Sequence, residues 1–261
     1  MSTIEYVEKA WETYKKNFWT IIIALILQMT IVSLPILIGI APWIVILFFS
    51  RTMVTEAGLA NVILSNIGVL FFSIIMFAIG ILISIALNGG FERVLYDALK
   101  GKARFETMLK VAKEKFWTIL GANLLVLFIF LLIIGVLLAP IAILILASSF
   151  SGASFLYLFV IILTVILGLI VLVVTNIFFV FVNPAIVIDN LKAVDAVKRS
   201  FEVSRRKFLQ IFLIFLIYFI INSGLENVLF ILGSIITAFV TTPMLLLSYI
   251  IFYVENSKKR K

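Results

Sequence analysis

The sequence predicts an all-α integral membrane protein with six membrane-spanning helices. Three observations support this fold class: 64% of the 261 residues are hydrophobic, only 13% are charged, and the apolar residues fall into six long runs. A soluble domain is about 45–50% apolar and about 25% charged, whereas a membrane-spanning helix needs about 20 apolar residues. The surplus of apolar surface must therefore face lipid or other helices. The whole chain, residues 1–261, is predicted to form one membrane domain.

The six predicted spans follow one another along the whole chain. They cover residues 18–40, 62–87, 116–147, 155–182, 208–224 and 228–254. The first run extends to 49 if the helix continues, but Pro35 and Pro42 are expected to kink or break it. The pair Gly89-Gly90 is expected to break the helix after the second run.

Basic residues predict the orientation of these spans. Of the 21 Lys and Arg, 20 lie before span one, between spans two and three, between spans four and five, or in the tail. Only Arg51 lies on the other side. The positive-inside rule therefore places both termini in the cytoplasm. The net charge of +8 is interpreted as this topology signal, and no nucleic-acid partner is expected.

Three similar segments precede the odd-numbered spans. The spans begin with Phe18-Trp19, Phe116-Trp117 and Phe208-Leu209, each after a basic segment, at offsets of 98 and 92 residues. Upstream, apolar residues recur with the spacing i, i+4 and i+11, which is one stripe of an α-helix. The three stripes are Val7, Trp11 and Phe18; Phe105, Leu109 and Phe116; and Val197, Phe201 and Phe208. These segments are predicted to be amphipathic helices at the cytoplasmic headgroups.

The even-numbered spans also end alike, in an acid followed three residues later by Lys. The pairs are Asp97 and Lys100, Asp189 and Lys192, and Glu255 and Lys258. The unit of amphipathic helix, two spans and acid-x-x-Lys is therefore predicted to occur three times, over residues 1–102, 103–192 and 193–261. An even number of spans per unit makes the copies parallel. We expect three hairpins around a pseudo-threefold axis, unlike inverted transporter repeats.

Two groups of polar residues are candidate sites. The six residues of the acid-x-x-Lys pairs, with Arg205, Arg206 and Lys207, form either an interfacial latch that locks helix to span or a site for anionic headgroups. Four amides are predicted in the cytoplasmic half of the spans: Asn88, Asn123, Asn176 and Asn183. They either line a polar cavity or form hydrogen bonds between helices.

Catalytic and metal chemistry is not expected. The absence of Cys and His excludes thiolate and imidazole metal ligands, a Cys nucleophile and a His base. No catalytic or nucleotide-binding motif is found, so no cofactor, metal or enzyme activity is predicted. The predicted spans carry no charged residue in their interior, which argues against a proton-coupled pump.

The chain resembles a known group of proteins over most of its length, through short motifs. Residues 183–189 carry Pro, an apolar run and an acid; residues 193–201 form a helix that ends in Lys/Arg-Ser-aromatic; and residues 205–208 are basic-aromatic. This pattern, with Tyr-Asp-Ala-Leu-Lys-Gly at 96–101, resembles prokaryotic six-span proteins that include the membrane domain of glycerophosphoryl diester phosphodiesterases and related uncharacterised membrane families. The resemblance implies their architecture and a prokaryotic plasma membrane. It does not imply hydrolysis, because the phosphodiesterase of those enzymes is a separate soluble barrel.

The sequence favours a non-enzymatic multi-pass protein that binds membrane lipids, including anionic ones, or serves as an accessory subunit at the cytoplasmic face. No protein partner is indicated. The alternative is a small-solute or ion transporter or channel that uses the amides. The first function follows from the repeated basic helices, and the second from radial repetition with a polar cluster.

Overall fold

A computed structural model describes residues 1–49, 65–147 and 154–257, and all regular structure in these residues is helical. In chain order the helices are α1 (Thr3–Lys16), α2 (Phe18–Phe49), α3 (Ile67–Leu99), α4 (Glu106–Glu114), α5 (Phe116–Ala147), α6 (Ser154–Phe179), α7 (Val182–Asp189), α8 (Ala193–Arg206), α9 (Phe208–Leu229), α10 (Ile231–Ile236), a π-helical turn (Thr237–Thr241) and α11 (Thr242–Ser257).

Six helical segments in the described part of the chain are long and apolar enough to cross a membrane. They are Phe18–Ile46, Ile67–Leu99, Phe116–Ala139, Leu158–Asp189, Phe208–Leu229 and Ile231–Ser257. The predicted all-α class with six candidate spans is therefore confirmed, and the chain is a multi-pass membrane protein.

The chain divides into two compact units. One unit is Asn17–Phe116 and contains α2, α3 and α4; the other combines Met1–Lys16 with Trp117–Lys261. This division does not follow the predicted repeat boundaries. The reason is that α4 packs against α3 and α1 packs against α11, so each short helix groups with the helix that it contacts.

Of the kink or break expected at the prolines of the first span, the structure excludes the break. Helix α2 continues through both Pro35 and Pro42. Proline removes a backbone hydrogen bond, but in hydrocarbon an open backbone would leave several groups without partners. Continuing the helix is therefore the less costly solution, as is common in membrane helices.

The prediction of a helix break at Gly89-Gly90 is wrong, because α3 runs without interruption to Leu99. The reason lies in the packing of α4. A Cβ atom at Gly90 would lie 2.2 Å from the carbonyl oxygen of Met108 on α4. Glycine at this position permits close approach of two helices, and its conformational freedom is not used.

Burial is concentrated at one end of the long helices, the end that joins the charged short helices and is called here the charged end. In α3 most buried residues lie between Ala86 and Ala98, and in α11 they lie mainly between Leu247 and Tyr253. Among the α5 side chains whose burial the structure describes, up to Ala139, the buried apolar ones are Ile119 and Ala122, both within two turns of the start of the helix. Large apolar side chains towards the other ends are mostly exposed, as expected for surfaces that face lipid.

Each short helix buries one stripe against a long helix. The stripe includes Ala10 in α1, Met108 in α4 and Ser200 in α8, all three without exposed surface. In the apolar stripes predicted from the sequence, the middle residues lie one position further on and face outward: Trp11, Leu109 and Phe201 are each 42% exposed. Val197, by contrast, is 8% exposed and belongs to the buried side of its helix. The short helices thus dock on protein through residues that range from Ala10 to the large Tyr6 and Tyr14 of α1. The exposed apolar residues lie at the edge of the contact.

Candidate functional site

The three acids at the ends of spans two, four and six make three different contacts. Glu255 forms an ion pair with Lys9 at 3.2 Å, which joins α11 to α1. Asp97 pairs within its own helix with Arg93 at 3.1 Å. Asp189, at the end of α7, accepts a hydrogen bond from the Tyr253 hydroxyl of α11.

The lysines three residues beyond the acids are placed elsewhere. Lys100 lies over the ring of Tyr96, with its Nζ 4.2 Å from the ring centroid. Lys192 precedes α8 in an extended conformation. Within the described ranges neither forms an ion pair with the acid that precedes it, and Lys258 lies outside those ranges.

Helix α1 is held along α11 by two tyrosines. Asn256 donates a hydrogen bond to the Tyr6 hydroxyl at 3.4 Å, and the Tyr14 hydroxyl donates to the carbonyl of Phe239 at 2.9 Å. Phe239 belongs to the π-helical turn that precedes α11, so the contacts run from the charged end of α11 to the turn before its first residue. Burial raises the pKa of the Tyr6 and Tyr14 phenols, which keeps both hydroxyls in the neutral form.

A basic cavity of about 190 Å³ lies between α8 and the charged end of α11. Three cations line it, and the remaining lining residues include one acid and the last turn of α11. The cations are Arg199, Arg206 and Lys207, and the others are Glu202, Val203, Asn256 and Ser257. Of the three adjacent basic residues predicted as a site, Arg206 and Lys207 line the cavity, while the exposed Arg205 does not.

Arg199 is a cavity residue that the sequence analysis did not single out. Its guanidinium donates to the carbonyl of Ser257 and lies 4.0 Å from Glu202, so it is held in place. Arg199 and Arg206 are seven residues apart, two helical turns, and such residues share a face. A fixed guanidinium with two further cations is suited to bind phosphate oxygens through charge-assisted hydrogen bonds.

The four predicted amides are not all brought together. Gln28 donates to Asn88 at 2.6 Å and links α2 to α3 in one unit. In the other unit Asn123 donates to Asn183 at 3.1 Å and links α5 to α7. Asn176 donates to the carbonyl of Leu172, one turn earlier in α6.

Two of these amides line a second cavity. Asn123 and Asn176 face a cleft of about 340 Å³ whose other walls include Phe130, Phe215 and Tyr249. The cleft lies among α5, α6, α9 and α11, which are spans or parts of spans. The cleft therefore presents two amide side chains among mostly apolar lining residues.

Comparison with known proteins gives a family. Residues 34–256 match the family described as a domain of unknown function, DUF7847. The chain belongs to this family. The match begins within α2 and ends within α11, so it includes the cleft and nearly all of the basic cavity. No curated protein and no solved structure matches the chain.

The DUF7847 chain also holds a buried acid that the sequence analysis missed. Glu92 is 8% exposed and is the only charged side chain that is buried in the described ranges. In the sequence, a charged residue directly after an apolar run indicates the end of a span. The helix instead continues for about two turns beyond it, and Glu92 lies one turn after Asn88 on the same face of α3.

Proposed function

We propose that this DUF7847 protein is a non-enzymatic protein of a prokaryotic plasma membrane that binds anionic lipid headgroups at the cytoplasmic face. The basic cavity between α8 and α11 carries the proposal. It combines three cations with one partly exposed acid. Such an excess of positive charge attracts anionic headgroups.

The position of the cavity along the chain fits a headgroup. Lys207 is followed directly by Phe208, the first residue of the span formed by α9. Leu209 is 66% exposed beside it. A cation next to an exposed apolar residue at the start of a span is the pattern expected where headgroups meet acyl chains.

Three parallel repeats with both termini in the cytoplasm are part of this proposal. Burial supports the repeat, because residues at matching positions of the three copies have matching exposure. Buried together are Ile21, Ile119 and Ile211; Ala24, Ala122 and Ile214; and Val94, Ile186 and Phe252. Strongly exposed together are Trp19, Trp117 and Leu209.

The packing partners of the short helices support the repeat independently. Helix α4 packs on α3, α8 packs on α6 and α7, and α1 packs on α11. Each short helix therefore docks on the last span of the preceding copy, with α1 following the third. Each hairpin also holds at least one polar contact between its spans, such as Gln28–Asn88, Asn123–Asn183 and Tyr218–Ser248.

The resemblance to the membrane domain of glycerophosphoryl diester phosphodiesterases fits a binding role. Those domains accompany a hydrolase without being one. For this chain we accordingly propose lipid binding or an accessory role and assign no reaction.

Native mass spectrometry with the full chain tests the proposal. Phosphatidylglycerol is titrated against phosphatidylcholine with the same acyl chains, at about 0.15 M salt. The test variant is Arg206→Gln/Lys207→Gln. The control is Lys198→Gln/Arg205→Gln, which removes the same charge from exposed residues of α8 that do not line the cavity.

The test variant should bind phosphatidylglycerol about 30-fold more weakly, because each headgroup-proximal cation contributes about 1 kcal/mol. The control should lose much less, because only screened, long-range attraction is removed. Equal losses in the two variants, or no preference of the unaltered protein for phosphatidylglycerol, would refute the proposal.

The alternative function, a path for small solutes or ions, is supported by the amides that line the cleft. Proteoliposome flux measurements address it. Flux of any solute that Asn176→Leu abolishes, in a variant that folds normally, would favour the path over lipid binding.

A further inference from the structure

The amide-lined cleft continues into a second cavity. A second, apolar groove of about 260 Å³ runs between α5 and α6, and both cavities are lined by Phe130. On α6 the groove reaches Thr175, whereas the cleft already begins at Val173, so the two linings overlap. The two cavities are therefore contiguous.

The combined cavity is long enough for one lipid chain. On α5 it extends from Asn123 to Leu138, which corresponds to about 22 Å along the helix axis. One leaflet of the hydrocarbon core is about 15 Å deep. The cavity also lies among membrane spans, where acyl chains are the surrounding solvent.

The two ends of the cavity differ in chemistry. The described residues that line the groove are almost all aliphatic, and their hydroxyls are those of Thr164 and Thr175. The cleft adds Asn123, Asn176 and Tyr249, and none of the described lining residues of either part is charged. A ligand that matches both ends has an apolar chain and an uncharged polar group.

Tyr249 gives the second indication of a ligand. Tyr249 is 6% exposed and lines the cleft. Among the described residues its hydroxyl forms no hydrogen bond, and it is not one of the fully enclosed polar atoms, so a ligand in the cleft can reach it. A tyrosine in apolar surroundings usually pairs its hydroxyl. A ligand oxygen in the cleft would supply one.

We propose that the cleft and the groove form a second site, separate from the basic cavity, for an uncharged long-chain amphiphile of the monoacylglycerol type. Its chain occupies the groove between α5 and α6. Tyr249 donates to an ester or hydroxyl oxygen, and the amides of Asn123 and Asn176 contact the other hydroxyls. A fatty acid is disfavoured, because its carboxylate would lie within the spans without a cation among the lining residues.

Photo-crosslinking of the purified full chain tests this site. The probe is a monoacylglycerol with a diazirine in its chain, compared with the fatty acid of the same chain. Gly168→Leu should block the groove: Gly168 lines it, and a Cβ atom there meets no atom within 4 Å. Gly135→Leu is the matched control, since Gly135 is equally open but does not line the groove.

The unaltered protein and Gly135→Leu should be labelled on α5 or α6, and Gly168→Leu should lose at least about tenfold of the labelling. Tyr249→Phe, which keeps the ring, should weaken monoacylglycerol binding about fivefold through the loss of one hydrogen bond. Thermal unfolding of each variant reports folding separately.

Equal labelling of Gly168→Leu and Gly135→Leu would refute the site. Preferential labelling by the fatty acid would refute the ligand class. Neither result depends on Arg206 or Lys207, so this proposal and the headgroup proposal can fail separately.

Discussion

The contact between Gly90 of α3 and Met108 of α4 allows a sharp test of how the short helices are held. A Cβ atom at position 90 would lie 2.2 Å from the Met108 carbonyl oxygen and 3.0 Å from its carbonyl carbon. A backbone carbonyl cannot rotate away as a side chain can. Alanine at position 90 therefore requires α4 to move until this distance reaches at least 3.4 Å, the ordinary contact range.

The expected cost follows from two opposing terms. Glycine to alanine in a helix interior is normally stabilising by about 1 kcal/mol. Overpacking of a close contact costs about 1–3 kcal/mol, and a backbone clash belongs at the upper end. Gly90→Ala should therefore lower the free energy of unfolding by about 2 kcal/mol, or the midpoint temperature by about 4–8 °C.

Gly68→Ala is the matched control, because Gly68 lies in the same helix and a Cβ atom there meets nothing within 4 Å. Its free energy of unfolding should stay equal or rise by up to about 1 kcal/mol. Thermal unfolding of both variants in the same detergent, followed by tryptophan fluorescence, measures the difference. Equal midpoints for Gly90→Ala and Gly68→Ala would show that the α3–α4 contact is not as close as described.

Three further predictions concern other parts of the fold. Burial raises the pKa of Tyr6 and Tyr14 above 10, so the stability that the two neutral phenols contribute is complete below about pH 10 and falls as pH rises through the folded-state pKa. Tyr14→Phe should therefore lose less midpoint temperature than the unaltered protein as pH rises above 10. A pH profile equal to that of the unaltered protein would contradict the burial of the Tyr14 hydroxyl. Lys9→Gln should change the free energy of unfolding by less than about 0.5 kcal/mol, because the Lys9 side chain is 50% exposed in its ion pair with Glu255 and such pairs contribute little; a loss above about 1.5 kcal/mol in thermal unfolding would be inconsistent. Phe230 has φ 49° between α9 and α10, so Phe230→Gly should raise the unfolding free energy by about 1 kcal/mol, and a lower midpoint would count against relieved strain.

The spans could be predicted from the sequence because the bilayer sets a length that local composition reveals. The lengths of the helices could not be predicted in this way. Helix α3 has 33 residues, far more than a crossing needs, and its charged end is stabilised by α4, a contact that hydropathy does not encode. The role of Gly90 in the Gly89-Gly90 pair could not be predicted for the same reason, because it depends on contact with Met108, 18 residues further along the chain.

Two of the three cations of the basic cavity could be predicted. Arg206 and Lys207, together with Arg205, form a basic run at the start of a span. Arg199 required the helical face to be considered, and Asn256 and Ser257 required knowledge that α11 lies beside α8. The amide pairs were anticipated as one of two interpretations, but which amide meets which depends on the rotation of each helix, and a uniformly apolar span carries little information about that.

The concentration of burial at the charged ends has a mechanical consequence. A single helix such as α5 is held by protein over its first turns and by lipid over the remainder. Its outer turns should therefore follow changes in bilayer thickness by tilting at small cost, while the inner turns stay fixed. Amide hydrogen exchange should be slow at the charged end in any membrane mimetic, and should quicken along the helix when a thin detergent layer replaces the bilayer. The membrane itself thus supplies part of the tertiary restraint that other proteins build from side chains.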